Sequence, residues 1–195
     1  MLNARSLVGK PIGLRENFIT DAERKQLLFY AKSPLAGWET YLPPSDVWYE
    51  RMINPRSMPP KVLKLMGKIR KRAARAIIED YGIAEPVFAD TLQLIRWRQG
   101  DDQAPHADCE EPDGRPNQTP WRAFASIIYL NDDFEGGQIH FPGRFLEPKI
   151  KPGMLAYFPS TREYLHGVKE ITGGVRYTHS CFYTFDPRRH DGHPV

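Results

Sequence analysis

From Asp90 to Phe185 the chain is a succession of short apolar runs cut by turn-forming segments, and no other feature limits the fold as much. The runs at Thr91–Trp97, Gln103–Cys109, Arg122–Leu130, Gln138–Phe141, Met154–Phe158, Tyr164–Val168 and Val175–Phe185 read as strands. NDDFEGG, FPGRF, EPKIKPG and EITGG stand between them, rich in the Gly, Pro, Asn and Asp that turns require. Strand follows strand with no helical pattern in between. That excludes a wound parallel sheet and leaves an all-β sandwich or barrel.

The first 85 residues have another character. Thr20 and Glu23 stand three apart, the spacing of a reciprocal cap, and Leu27, Leu28 and Ala31 recur at helical intervals. A helix over 21–32 is expected, ending before Ser33-Pro34. A second helix starts at Pro59-Pro60 and stops before Gly82. Val62, Leu65, Met66, Ile69, Ala73, Ala76 and Ile77 form its apolar stripe, and Lys61, Lys64, Lys68, Lys71, Arg72 and Arg75 its other side. Those cations read either as a solvated face or as a basic surface for nucleic acid or an acidic partner. The interleaved aromatics of a single-strand platform are missing. Residues 34–60 hold six prolines together with Trp38, Tyr41, Trp48 and Tyr49, a loop whose aromatics either pack the core or wall a cavity.

At 195 residues the chain suits one domain: helical support and a candidate lid over 1–85, a β core over 86–187 and a flexible tail over 188–195. A net charge of +3 is too mild to imply nucleic acid by itself. No apolar run reaches the ~18 residues of a membrane span, and MLNARSLVGKPIGL lacks the apolar core of a secretory signal. Cys109 and Cys181 are too few for a disulfide framework and read as reduced thiols, so a cytoplasmic location is expected.

Chemistry enters at PHADC. His106 and Asp108 are two apart, the spacing that puts both side chains on one face of a strand. An isolated His-x-Asp arises readily by chance. His166, in a later strand, supplies a third element, and two imidazoles with one carboxylate are the facial triad of non-haem Fe(II) oxygenases. Ten residues on, Arg176 and Thr178 share a strand face, and a guanidinium fork beside a hydroxyl suits a carboxylate.

With these residues in place, the second half of the chain resembles the Fe(II)- and 2-oxoglutarate-dependent dioxygenases, in their prolyl 4-hydroxylase-like branch. The resemblance is carried by LQLIRWRQGDDQAPHADC, RAFASIIYLNDDFEGGQIHFPG, IKPGMLAYFPS and LHGVKEITGGVRYTHSCF, about half the chain. It implies a mainly β fold with flanking α-helices, the double-stranded β-helix or jelly roll. It gives Fe(II) to His106, Asp108 and His166, and the distal carboxylate of the cosubstrate 2-oxoglutarate to Arg176 with Thr178. Ascorbate enters as a reductant. It also implies hydroxylation of a prolyl or other amino-acid-like substrate, free or in a polypeptide, with release of succinate and CO2. Because Asp108 is a carboxylate, hydroxylation is favoured over the halogenation of relatives with a small residue there. The chain departs from the branch at Trp97, where Tyr is usual, at Ile139, where Thr is usual, and at Arg176, where many relatives have Lys.

The remaining candidates are expected to be structural. His140 and His179 read as packing, His190 and His193 fall in the tail, and Cys109 reads as a buried thiol. Residues 110–121 are either a surface loop or a lid over the metal, whose acids, with Asp101 and Asp102, would favour a cationic substrate. Two other functions compete with the oxygenase: a nucleic-acid or protein-binding module using the basic helix 61–75, and an oxygenase acting on nucleic acid.

Overall fold

A computed structural model describes residues 3–38, 43 and 46–191. Tyr41 and His193 lie outside the described residues. Thr20 opens helix α1 (Asp21–Lys32) with the reciprocal cap its spacing predicts: its hydroxyl accepts from the Glu23 amide, and the Glu23 carboxylate accepts from the Thr20 amide. Glu23 also receives both terminal nitrogens of Arg72, at 2.9 and 2.8 Å, from helix α2 (Pro60–Tyr81). Pro60 sits at the first turn of α2, where a missing amide proton is harmless. Gly82 ends the helix at φ 62°, the left-handed conformation that favours glycine.

Ten strands are present among the described residues: β1 (Gly13–Arg15), β2 (Met52–Ile53), β3 (Phe88–Arg98), β4 (Gln103–His106), β5 (Arg122–Tyr129), β6 (Phe134–Gly136), β7 (Ile139–His140), β8 (Leu155–Pro159), β9 (His166–Val168) and β10 (Ile171–Thr184). The large antiparallel sheet runs β1-β8-β5-β10-β3-β2, with β6 beside the start of β10. The small sheet runs β4-β9-β7. This is the double-stranded β-helix, mainly β with helices at its flank. Met66, Ile69, Ala73 and Ile77 of α2 pack with Tyr177, Cys181 and Tyr183 of β10 in the main core, so the helix covers the outer face of the large sheet.

Several sequence expectations are revised. Strand β4 ends at His106, not Cys109; beyond it the amides of Asp108 and Cys109 bond instead to the Ser160 carbonyl, at 3.0 and 3.2 Å. Pro105 lacks the amide that would continue a ladder. The EITGG segment, read as a turn, lies mostly within β10, because Ile171, Gly173 and Gly174 pair with β6, itself read as a turn. The tail is tied down as far as Asp191. Its amide donates to the Ala89 carbonyl and its carboxylate pairs with buried Arg70, while Arg189 lies 4.3 Å from the Trp121 ring centroid.

The Arg72 pair and the cap hold the Glu23 carboxyl down at about 2, against an ordinary 4.5. Its stabilising contribution is therefore full above about pH 4.5 and is lost as the pH falls toward 2. Glu23→Gln keeps a capping side chain but loses the ion pair. It should cost about 1 kcal/mol at pH 7, with the gap to wild type closing between pH 4.5 and 2 in chemical denaturation.

Candidate active site

The site follows from the pleat of β10. Successive side chains of a strand point to opposite faces. Tyr177, Cys181 and Tyr183 go to the helix-covered core, whereas Arg176, Thr178, Ser180 and Phe182 line a cavity of about 780 Å3 inside the barrel. His106, Asp108 and His166 line the same cavity, so all five predicted site residues are brought together.

His106 ends β4 and His166 begins β9, directly opposite each other in the small sheet. Asp108 hangs from the segment bonded to Ser160, with its own carbonyl accepting from the Thr119 hydroxyl at 2.7 Å. One Asp108 carboxylate oxygen lies 3.7 Å from His106 Nε2 and 3.9 Å from His166 Nε2. The ligand atoms of the three residues all lie within 4.8 Å of one another. Each imidazole has Nδ1 at 3.1 Å from a backbone carbonyl, that of Ala104 for His106 and of Tyr164 for His166. A carbonyl only accepts, so Nδ1 carries the proton and Nε2 presents its lone pair to the cavity. Burial pulls His166 down to about 4, so it is neutral at pH 7. The second carboxylate oxygen of Asp108 is buried with no hydrogen-bond partner. Two imidazole lone pairs and a carboxylate with an unused oxygen fit a divalent metal such as Fe(II).

Elsewhere in the cavity lies Arg176, buried and without a carboxylate partner among the described residues. One terminal nitrogen donates to the Gly137 carbonyl, and Nε has no acceptor. The guanidinium lies 5.1 Å from the Trp97 ring centroid and 5.8 Å from that of Tyr129. Burial lowers its pKa to about 10, which leaves it charged at pH 7. A buried cation without an anion is costly. The buried Tyr129 hydroxyl is likewise unpartnered, its pKa pushed up to about 12 by burial against the pull of Arg176. Thr178, also buried, sits directly across the ladder from Tyr129. Cation, phenol and hydroxyl together form a receptor for a small carboxylate.

Residues 92–184 match the family model described as the 2OG-Fe(II) oxygenase superfamily. Over those residues, just under half of its length, the chain is similar to that superfamily. A curated relative, prolyl 3-hydroxylase 2 of Rattus norvegicus, is 36% identical over 77 residues, 37% of this chain and 11% of the relative. The chain thus spans about a tenth of the length of the curated relatives it matches. Two solved structures share the fold. The viral collagen prolyl hydroxylase from Paramecium Bursaria Chlorella virus-1 has a TM-score of 0.67 at 18% identity, covering 90% of this chain and 96% of that one. A Pseudomonas putida prolyl-4-hydroxylase has a TM-score of 0.63 at 18% identity, covering 93% and 96%.

Within this barrel the other candidates sort by face. His179 is buried under α2, its ring nitrogens 3.1 and 3.3 Å from the Gln93 and Met66 carbonyls. Trp38 packs against Tyr177, whereas Trp48 meets Trp97 edge-on at 5.8 Å and lines the cavity. Residues 110–121 contribute Glu110, Glu111, Asn117 and Gln118 to the cavity wall. The acids expected to favour a cationic substrate are partly engaged already: Asp101 pairs with Arg51 and Glu110 with Arg5. Cys109 is a buried thiol, pushed up to about 12 by burial. The sequence reading missed Tyr129. Its alternation with Ala125 and Ile127 toward the cavity was the available signal.

The Tyr129 hydroxyl has no hydrogen-bond partner among the described residues, so removing it breaks no bond within the protein. Tyr129→Phe should melt at or above the wild-type temperature by circular dichroism.

Proposed function

We propose that the chain is an Fe(II)- and 2-oxoglutarate-dependent dioxygenase that hydroxylates an unactivated C–H of a prolyl or other amino-acid-like substrate, free or in a polypeptide. Succinate and CO2 are the coproducts, and ascorbate serves as a reductant. The observation that carries this reading is one cavity holding a His-Asp-His cluster and a buried guanidinium without a counter-ion among the described residues.

His106, Asp108 and His166 are the metal ligands in this reading. Fe(II) held there supplies the oxygen-activating redox chemistry, which no side chain of the cavity can provide. Arg176, Tyr129 and Thr178 bind the distal carboxylate of 2-oxoglutarate. That anion supplies the partner Arg176 lacks and the bond the Tyr129 hydroxyl lacks. Trp97 and Ile139, apolar where the branch usually has Tyr and Thr, wall this pocket, leaving orientation to the guanidinium fork. Trp48, Met52 and Phe182 offer the substrate apolar and aromatic surface, and Gln93 and Gln118 offer amides suited to a peptide backbone. A prolyl substrate is supported by the relatives, which are named as prolyl hydroxylases. Two buried free thiols suit a reducing compartment, in keeping with a cytoplasmic location.

Anaerobic titration of the Fe(II)-loaded protein with 2-oxoglutarate should produce the weak visible band of the chelate. Arg176→Ala should weaken 2-oxoglutarate binding about 10- to 100-fold while retaining metal, and His166→Ala should lose metal as read by elemental analysis. Unchanged cosubstrate affinity in Arg176→Ala would move the carboxylate receptor elsewhere. Succinate formation stimulated by proline-containing peptides, with a mass gain of one oxygen, would identify the substrate class.

A further inference from the structure

Helix α2 carries a feature the oxygenase reading does not use. Lys61, Lys64, Lys68, Lys71 and Arg75 follow one another at intervals of three and four residues. At about 100° per residue they fall within an arc of roughly 80° and extend about 21 Å along the axis. All five are exposed. None makes an ion pair or hydrogen bond with another described residue. Elsewhere Lys25, Lys32, Lys151 and Lys169 pair with acids, and so does Arg72 on the same helix, while Lys10 and Lys149 stand singly without an ion pair among the described residues. The stripe contains no acid before Glu79.

The helix also forgoes the usual compensation at its start. Helix α1 has Asp21 and Glu23 in its first turn and a full cap, whereas α2 has neither an acidic residue in its first turn nor a capping side chain, and places Lys61 there. The positive end of the helix dipole and the first cations therefore reinforce one another.

We propose that this face of α2 binds a duplex nucleic acid through its phosphates, without reading sequence. Three observations choose this partner over an acidic protein. The cations form one narrow band along the helix axis, matching a backbone with regularly spaced charge, and 21 Å corresponds to roughly six base-pair steps. No exposed large apolar residue lies on α2, so the aromatic or aliphatic anchor that protein interfaces need is missing. No aromatic interrupts the stripe, so bases have nothing to stack on and the contact is with backbone alone. The surface is remote from the cavity: α2 covers the outer face of β10, where Met66 and Arg70 carbonyls meet His179 and Tyr183, while the cavity opens from the inner face. Binding would leave the pocket free.

The test is fluorescence polarisation with a labelled 24-base-pair DNA duplex of arbitrary sequence and the full chain, over a salt series. Five phosphate contacts predict a slope of log Kobs against log salt of about −4.5. The triple variant Lys64→Gln, Lys68→Gln, Lys71→Gln should reduce the slope to about −2 and weaken binding at least tenfold at 50 mM salt. Its melting temperature and its 2-oxoglutarate affinity should match wild type. A control variant, Lys10→Gln with Lys149→Gln, should bind like wild type. The proposal is overturned by absence of duplex binding at 50 mM salt, by equal loss in the control and triple variants, or by a poly-glutamate peptide binding the stripe more tightly than the duplex.

Discussion

The register of β10 is the constraint on which the rest of the structure depends. This strand pairs with β3 on one side and β5 on the other, placing Arg176 opposite Trp97 and Thr178 opposite Tyr129. A slip by one residue would exchange its faces, putting Arg176 beneath α2 and Tyr177 into the cavity. Asn131 prevents this at the point where the strand leaves β6: its amide oxygen accepts from the Tyr177 amide at 2.8 Å, and its nitrogen donates to the Val175 carbonyl at 2.7 Å. Gly174 stands just before, at φ 73°, where a side chain would collide with the Asp133 carbonyl and Phe134. One asparagine and one glycine thus allow a single strand to build both the hydrophobic core and the site.

The elements most legible in the sequence were those governed by local rules. The Thr20–Glu23 cap and the Pro60-to-Gly82 limits of α2 depend on residues adjacent in the chain, and they stand where expected. The five candidate site residues were legible as a set because metal and carboxylate chemistry each call for particular side chains, and the structure brings them to one cavity. What escaped was set by distant partners. Asp108 was assigned to the His106 strand, but its segment is held by the Ser160 carbonyl, fifty-odd residues away. Gly173 and Gly174 signalled a turn, yet pairing with β6 makes them strand. Tyr129 reads as an ordinary strand residue until the structure shows its hydroxyl buried with no partner.

The small and large sheets divide the work of the cavity. His106 and His166 come from paired strands of the small sheet, so one ladder fixes the separation of the two imidazoles. Arg176, Thr178 and Tyr129 come from neighbouring strands of the large sheet. Buried polar atoms are nearly always satisfied in folded proteins. Among the described residues ten buried side-chain atoms lack a partner; three of them, the free oxygen of Asp108, Nε of Arg176 and the Tyr129 hydroxyl, belong to residues lining one cavity. Such atoms cost stability while unpaired and return it when a partner binds, so in the proposed reading cosubstrate and metal act as folding ligands.

Among the described residues, a buried cation at Arg176 and a row of exposed cations on α2 lack acidic partners, and the physics of each selects a different kind of anion. The Arg176 side chain is buried, the effective dielectric around it is lower than in bulk water, and the guanidinium is held by the Gly137 carbonyl beside Trp97. A charge in that position rewards one small carboxylate of matching geometry and is weakly sensitive to salt. Along α2 the cations are solvated, so each contributes little alone and the sum matters. Their binding would derive from release of counter-ions by an extended polyanion, which makes it steeply salt-dependent and nearly blind to shape. Because the two sets lie on opposite faces of β10, one strand separates a site that recognises a molecule from a surface that recognises charge density.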